Sequence, residues 1–140
     1  MNRYILDTDH VSLILGNHPK VTAIAAQHQV SVTIITVQEL FNGWVGKLND
    51  PASIKSLPSF YSKLCATMKY LQTVEILDFT PESDIRLKEL LKTNPPLRKN
   101  RIQKDMRIAA VALSLNATVV TRNERDFGLV PELSIADWSR

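Results

Sequence analysis

Short apolar runs alternate with helix-length segments along this chain. Residues 30–36 (VSVTIIT) are β-branched and nearly continuous in apolar character, which is typical of a strand buried on both faces of a sheet. Residues 3–7, 74–79, 117–122 and 133–136 are further candidate strands. Because helical stretches separate them, the pattern predicts parallel βαβ units with right-handed crossovers. We therefore expect an α/β fold, with a central parallel sheet of about four to five strands flanked by helices.

The candidate helices are bounded by turn and capping residues. Residues 80–82 (TPE) open a helix with a hydroxyl N-cap, a proline in the first position and an acid in the first turn. Residues 94–96 (NPP) should end it. Residues 102–115 predict a largely buried helix, because apolar residues occur on nearly every face. The other helices are expected near residues 11–15, 19–29, 37–48 and 51–73.

Length and composition limit the classes of protein that the chain can belong to. Its 140 residues fit one domain, so we expect residues 1–140 to form a single domain. Cys65 is the only cysteine, which excludes an intramolecular disulfide, and its apolar neighbours predict a packed helix position. No run reaches the ~18 apolar residues of a membrane span, and Asp7 and Asp9 interrupt the N-terminal run. These features predict a cytoplasmic protein that makes no membrane contact.

Acidic residues follow the predicted strands. Asp7 ends one strand, Glu39 follows another, and residues 123–126 follow a third. In open parallel sheets, ligands bind beyond the carboxyl ends of the strands. Asp105 is an acid on an otherwise apolar helix, where a buried aspartate is rare unless it is paired or metal-bound. We therefore expect these acids to converge at one edge of the sheet.

Each acid also has a structural explanation. Asp7 and Asp9 are placed to cap the helix that begins near His10. The spacing of Thr36 and Glu39 matches a capping box, in which the glutamate reaches back to the N-cap amide. Asp105 is likewise placed to cap its own helix. Taken singly, each structural explanation accounts for its acid at least as well as a functional role does.

Taken together, the acids favour a bound cation. Two carboxylates ~5 Å apart repel each other by about 3 kcal/mol at an effective dielectric constant near 20. A set of oxygen ligands suits Mg²⁺ or Mn²⁺, whereas zinc normally takes His or Cys. His10, His18 and His28 do not form a ligand-spaced set, and His10 either lines the site or lies on a helix surface. A divalent cation held in this way lowers the pKa of bound water and neutralises phosphate charge, which suits phosphodiester hydrolysis by metal-activated water.

Four motifs, in order, resemble those of PIN-domain nucleases. They are YILDTD, then TVQEL, then KDMRIAAVAL, then ATVVTRNERDF, and together they span Tyr4 to Phe127. The similarity is strongest to the VapC-like toxins of toxin–antitoxin pairs. It implies a PIN-like α/β domain and a magnesium-dependent endoribonuclease that cleaves RNA. It also implies a homodimer held inactive by a cognate antitoxin, whose tail lies across the active-site groove.

The resemblance also implies roles for individual residues. Asp7 and Asp105 match the family's principal metal ligands, and Glu39 matches the acid that completes the site directly or through water. Thr8 and Thr121 match hydroxyl residues that the family often keeps near the site.

The fourth position of the family's site departs from the commonest pattern. Relatives often have aspartate where this chain has Asn123, although asparagine also occurs there. Asp126 either supplies the missing charge or fixes the loop. The resemblance therefore implies a three-acid site, with Asn123 or Asp126 as a supporting polar group.

A basic segment precedes and enters the helix that carries Asp105. It includes Arg98, Lys99, Arg101 and Lys104. The net charge of +3 is too mild to establish a nucleic-acid partner. The segment is either a solvated surface or a contact for the RNA backbone.

Two other functions remain open from the sequence. The pattern LDTDHV also fits a haloacid-dehalogenase-type phosphatase, with Asp7 as nucleophile and Asp9 as acid/base. That family needs a late GDxxxD-type pair, which residues 121–127 (TRNERDF) do not supply. A degenerate, non-catalytic PIN-like binding module is the second alternative, and Asn123 is the one feature in its favour.

Overall fold

Five parallel strands form one central sheet in the computed structural model, which describes residues 2–140. The strands are β1 (Tyr4–Leu6), β2 (Val30–Thr33), β3 (Glu75–Leu77), β4 (Thr118–Val120) and β5 (Ser134–Ala136). Their order across the sheet is β3-β2-β1-β4-β5, and every neighbouring pair is parallel. The α/β prediction is confirmed, including the short fifth strand.

Helices connect the strands and cover both faces of the sheet. They are α1 (Thr8–Leu15), α2 (Pro19–Ala25), α3 (Ile34–Asn49), α4 (Leu57–Leu71), α5 (Pro81–Thr93), α6 (Gln103–Leu115) and α7 (Glu124–Phe127). Short 3₁₀ segments occupy Pro51–Ser56, Pro95–Arg98 and Asn100–Ile102. Within residues 2–140, no helix combines the length and the apolar character needed to cross a membrane.

Alternating side chains of the strands enter two separate hydrophobic clusters. Ile5 and Val119 join the cluster that contains Met106 of α6. Their neighbours Leu6 and Val120 point to the other face and join the cluster beneath α1 and α2. This period of two is what a pleated strand imposes on its side chains. The central strands β1 and β4 are therefore buried on both faces, as their apolar runs predict.

The helix α6 packs deeply against the sheet. Met106, Ile108 and the run Ala109–Ala112 are all buried. The largest set of contacts between two helices joins α6 to α5. The sequence-based prediction of a largely buried helix is confirmed, and this burial fixes the position of Asp105 in the first turn.

The boundary between β2 and α3 differs from the prediction. We expected a strand over 30–36 and a capping box at Thr36, but the strand ends at Thr33 and the helix begins at Ile34. The Thr33 hydroxyl accepts a hydrogen bond from the Thr36 N–H (3.1 Å), so Thr33 is the N-cap. The β-branched residues after it form the first helical turn. Glu39 therefore lies within the helix and takes no part in capping.

Other boundaries shift by smaller amounts. Helix α1 begins at Thr8, earlier than the predicted 11–15, and α2 ends at Ala25, before the predicted Gln29. The predicted helix 51–73 divides into a 3₁₀ segment and α4. Cys65 on α4 is exposed, so the expectation that it packs in the interior was wrong.

The strand order places a switch point beside β1. From β1 the chain moves outward through β2 to β3, and it later returns to the other side of β1 with β4 and β5. The crossovers on the two sides run in opposite directions, so they leave a crevice between the carboxyl ends of β1 and β4. Asp7 follows β1 and Thr121 follows β4. The topology therefore directs both residues to the same crevice.

The Thr33 cap generates a stability prediction. Replacing Thr33 by Val keeps the side-chain shape but removes the cap, so the free energy of unfolding should fall by ~1 kcal/mol. The matched control is Thr118→Val, since Thr118 is a strand threonine of β4 and valine is well accepted in strands. Urea unfolding of both variants measures the difference. Equal stability of the two variants would contradict the assignment of Thr33 as the N-cap.

A candidate metal centre at the carboxyl ends of the strands

Asp7 lies at the centre of the crevice. It follows β1 directly, is 6% exposed, and serves as the N-cap of α1. Its Oδ1 accepts a hydrogen bond from the Thr8 N–H (2.8 Å), and its Oδ2 accepts one from the Thr121 hydroxyl (2.9 Å). Asp7 therefore caps α1 as expected, but capping uses only its Oδ1 atom. The contact from Thr121 holds the other oxygen in a fixed direction.

Glu39 reaches the same crevice from α3. The Thr8 hydroxyl donates a hydrogen bond to Glu39 Oε1 (3.0 Å). Thr8 therefore links two acids, since its N–H binds Asp7 and its hydroxyl binds Glu39. This contact orients a flexible side chain that lies half-buried between α1 and α3.

Asp105 completes the group from the first turn of α6. The N-cap of α6 is Ile102, which contributes no side-chain cap, so Asp105 does not cap this helix as its structural explanation required. The Asn123 Nδ2 amide donates a hydrogen bond to Asp105 Oδ2 (3.4 Å). One oxygen from each of Asp7, Glu39 and Asp105 lies within 4.8 Å of the other two. The structure thus brings together the three acids predicted as metal ligands.

Burial and mutual repulsion act on the protonation of these acids. Burial raises the pKa of Asp7 to about 7, and the nearby charge of Asp9 adds to the effect against the hydrogen bonds from Thr8 and Thr121. Burial also raises the pKa of Asp105 to about 6, with further contributions from Glu39 and Asp126. Both carboxyl groups therefore ionise less readily than an isolated aspartate, and a positive charge beside them would favour their ionised forms.

The donor set fits a hard divalent cation. All three candidate ligands are carboxylates, and their oxygens are close enough to share one ion. Oxygen-only coordination is typical of Mg²⁺ and Mn²⁺. The raised pKa values also favour a bound cation, since its charge would offset the burial and the repulsion that raise them.

Asp126 does not join the three acids. It is buried, and the guanidinium of Arg101 binds it through two hydrogen bonds (2.9 and 3.1 Å). The Arg101 guanidinium, with help from Asn123 and Arg125, holds the pKa of Asp126 well below its usual range. Of the two roles expected for Asp126, the structure favours fixing the loop over adding a fourth acid.

Asn123 connects this ion pair to the acid cluster. Its Nδ2 group donates to both Asp126 (3.0 Å) and Asp105 (3.4 Å), and its Oδ1 accepts from the Asp126 N–H (3.4 Å). An amide can donate to two carboxylates at once, which a third carboxylate cannot do. Asn123 therefore orients Asp105, and its position matches the supporting role predicted for it.

Asp9 and His10 form a second connection, which the sequence-based reasoning did not foresee. Asp9 Oδ2 accepts from the Arg122 N–H (3.0 Å), and Asp9 Oδ1 is 2.7 Å from His10 Nδ1. His10 Nε2 accepts from the Trp138 N–H (3.2 Å). His10 is fully buried, so the alternative that it lies on a helix surface was wrong. It is also not a member of the acid cluster. The pattern DTDH does not indicate the contact with Trp138, because the donor is a main-chain N–H, which almost every residue possesses.

The phosphatase alternative required Asp9 to act as acid/base, whereas its contacts in the structure are those of an anchoring residue. Both Asp9 oxygens accept hydrogen bonds within the protein, from His10 on one side and from Arg122 on the other. Asp9 thus anchors the loop after β4.

The basic segment is partly engaged in internal contacts. Arg98 donates to the last carbonyls of α5, with its Nε 2.7 Å from the Leu91 oxygen. Arg101 pairs with Asp126 while keeping half of its side chain exposed. Lys99 is exposed and Lys104 is half-buried. Of the four predicted RNA contacts, two therefore already have structural roles.

Comparison with known proteins finds full-length relatives that are named as VapC ribonucleases. No family model matches the sequence. Ribonuclease VapC1 of Haemophilus influenzae is 28% identical to it over 148 residues, with 98% of each chain covered. Ribonuclease VapC2 of Rickettsia felis is 26% identical over 145 residues, again with 98% coverage of each.

Solved structures agree with the sequence comparison. VapBC from Salmonella typhimurium, bound to DNA, superposes with a TM-score of 0.79 at 23% identity over 99% of both chains. The chain has the PIN-domain fold of these VapC structures. VapBC-1 from Haemophilus influenzae gives a TM-score of 0.78 at 23% identity, also over 99% of both chains. The resemblance to VapC-like proteins that the four motifs indicated is therefore confirmed. The shared fold extends over nearly the whole chain.

The contrasting environments of Asp105 and Asp126 generate a prediction about stability in EDTA. The folded-state pKa of Asp105 is raised from 3.8 to about 6, so the folded protein binds more protons than the unfolded chain between these values. Stability must then fall as pH rises through this window. Asp105→Asn should raise the free energy of unfolding by ~1 kcal/mol at pH 8, which corresponds to a few degrees in Tm. The gain should be smaller at pH 5.

Asp126→Asn is the matched control for that experiment. The pKa of Asp126 is depressed, so the residue is ionised and paired with Arg101 at both pH values. This variant should therefore lower the Tm at pH 5 and at pH 8. Thermal melts of the three proteins provide the measurement. If Asp105→Asn matched the wild type at pH 8, the claim that burial and repulsion of the Asp105 carboxylate cost stability would be disproved.

Proposed function

We propose that this VapC-like protein is a magnesium-dependent endoribonuclease and the toxin of a toxin–antitoxin pair. The observation that carries the proposal is the convergence of Asp7, Glu39 and Asp105 in the crevice between β1 and β4. The relatives named as ribonucleases, which match 98% of the chain, support the same activity. Mg²⁺ is the expected cofactor, and Mn²⁺ has the same ligand preferences.

The three acids have distinct proposed roles. Asp7 and Asp105 bind the cation directly, and Glu39 binds it or positions the attacking water. A bound Mg²⁺ would lower the pKa of that water and neutralise charge on the attacked phosphate. Hydrolysis forms a bond from phosphorus to the water oxygen and breaks the bond from phosphorus to the leaving ribose oxygen. The water must lose a proton, and Glu39 is placed to accept it because Thr8 already fixes its Oε1 atom.

The surrounding residues keep these carboxylates in place. Thr121 donates to Asp7, and Asn123 donates to Asp105, so the direction of each ligand is set before substrate binds. Asp126 acts through Asn123 and Arg101 and does not touch the reacting atoms. We therefore propose Thr121, Asn123 and Asp126 as positioning residues.

The substrate proposed here is single-stranded or looped RNA. Unpaired strands are the form in which proteins reach RNA bases and backbone most readily. Lys99, Lys104 and the exposed half of Arg101 remain candidates for contact with phosphates near Asp105.

Removing a ligand tests the catalytic proposal. Asp7→Asn and Asp105→Asn should each lower the rate of RNA cleavage on the order of 10²- to 10³-fold, the usual loss for one electrostatic group of an active site. EDTA should abolish wild-type cleavage, and Mg²⁺ or Mn²⁺ should restore it. Mg²⁺ should also raise the Tm of the wild type more than that of either variant, because a ligand of the folded state stabilises it.

The control separates catalysis from folding. Asp50→Asn changes one acid at the start of the 3₁₀ segment after α3, outside the acid cluster. Its cleavage rate and its Mg²⁺-induced shift in Tm should equal those of the wild type. Full cleavage in EDTA would refute the metal mechanism. Absence of both cleavage and Mg²⁺ binding in the wild type would instead establish the degenerate binding module.

We also propose a protein partner. Related chains were solved as VapBC complexes, two of them bound to DNA. For this chain we propose a cognate antitoxin that blocks the crevice, and a homodimer as the toxin's own assembly. The product of a short neighbouring reading frame, when co-purified with this chain, should suppress RNA cleavage in proportion to its occupancy. Undiminished cleavage by a stoichiometric complex would contradict inhibition at the crevice.

A further inference from the structure

A cleft of about 360 Å³ opens between α1, α3 and α4. Leu40 and Trp44 of α3 form its apolar floor, and Ser12 of α1 lies at its edge. Among the described residues that line it, the charged ones are Lys47 and Lys63, and both are positive. The cleft is distinct from the carboxylate cluster, and none of the roles assigned above uses it.

The indole of Trp44 is held in a fixed orientation. Its Nε1–H donates to the Thr67 hydroxyl (3.0 Å), and that hydroxyl donates to the Lys63 carbonyl (2.8 Å). Thr67 is buried, so this chain of hydrogen bonds is protected from water. The ring therefore presents a rigid apolar face that does not need to be ordered when a ligand binds.

Two ammonium groups lie close to this ring. Lys47 Nζ is 4.8 Å from the ring centroid of Trp44, and Lys63 Nζ is 5.9 Å from it. Both lysines are exposed and have flexible side chains, so each can leave the ring to bind an anion beside it. An aromatic face flanked by positive charge is the combination that binds single-stranded nucleic acids, through base stacking and phosphate contacts.

The cleft and the acids share two helices. Thr8 and Glu39, which are hydrogen-bonded to each other, lie on α1 and α3. Ser12 is one turn beyond Thr8, and Trp44 is five residues beyond Glu39, which is about 7.5 Å along a helix axis. The cleft thus lies further along the same two helices that carry Thr8 and Glu39. A single strand that reaches the acids is long enough to span this distance.

We propose that this cleft is a nucleotide-binding subsite for single-stranded RNA. A base next to the cleaved bond stacks on Trp44, while Lys47 and Lys63 hold the adjacent phosphates. The proposal rests on the ribonuclease activity proposed above and identifies a further part of the substrate surface. A docked protein segment is the other occupant to consider. The positive charge of the cleft and its place on the two helices that carry Thr8 and Glu39 favour a polyanion that also reaches the acids.

The test measures RNA binding without cleavage. A fluorescently labelled single-stranded oligoribonucleotide is titrated with the wild-type protein in EDTA, at several salt concentrations, and anisotropy gives the Kd. The double variant Lys47→Gln/Lys63→Gln should bind on the order of tenfold more weakly. The slope of log Kd against log salt should fall by about 1.4, which is ~0.7 for each lost phosphate contact on a single strand. Trp44→Ala should also weaken binding about tenfold, and Trp44→Phe should recover most of that loss.

The matched control is Lys55→Gln/Lys69→Gln. It removes the same charge from exposed lysines near the cleft that do not line it. Its Kd and salt slope should equal those of the wild type. Equal effects of the two double variants, or no effect of either, would overturn the proposal and leave the cleft to a protein partner. Weaker binding by the cleft variants alone would support it, even if the wild type cleaved no RNA in Mg²⁺, a result that would refute only the proposed activity.

Discussion

The burial and mutual repulsion of converging carboxylates are the constraint around which this end of the molecule is built. Asp7 caps α1, Glu39 lies on α3 and Asp105 lies on α6, and bringing them together costs folding free energy in the absence of a cation. The nearby donors offset part of that cost. Thr8 and Thr121 supply hydrogen bonds to Asp7 and Glu39, whereas Asn123 supplies one to Asp105. The adjacent loop is therefore rich in side-chain contacts, because each acid needs a partner that holds it without neutralising it.

The sequence was sufficient to predict the features that depend on local pattern. Apolar runs identified the parallel strands, and the nearly uniform apolar character of α6 identified its burial. The start of α3 could not be found in this way, because β-branched residues favour a strand and also occupy the first helical turn. What decides between the two is the hydroxyl of Thr33, which caps the helix. Propensity therefore predicts the elements better than their boundaries.

The sequence likewise predicted some features of the functional site and not others. Acids at the ends of predicted strands indicated where the site would form, because strand ends of a parallel sheet share one edge. The pairing of Asp126 with Arg101 was beyond such reasoning, since 25 positions separate the two residues and either could have faced solvent. The cleft around Trp44 was missed for a related reason. It requires knowing that α4 packs against α3, and spacing within one helix does not show this.

The contact between His10 and the C-terminal segment has a consequence for comparing sequences. The donor is the main-chain N–H of Trp138, which every residue except proline possesses. A substitution at position 138 can therefore preserve the hydrogen bond, whereas replacement of His10 by an apolar residue removes it. This hydrogen bond therefore constrains position 10 but not position 138, where the constraint comes from the packing of the indole. The hydrogen bond itself would give no signal to methods that infer contacts from correlated substitutions, although it ties the end of β5 to the helix that Asp7 caps.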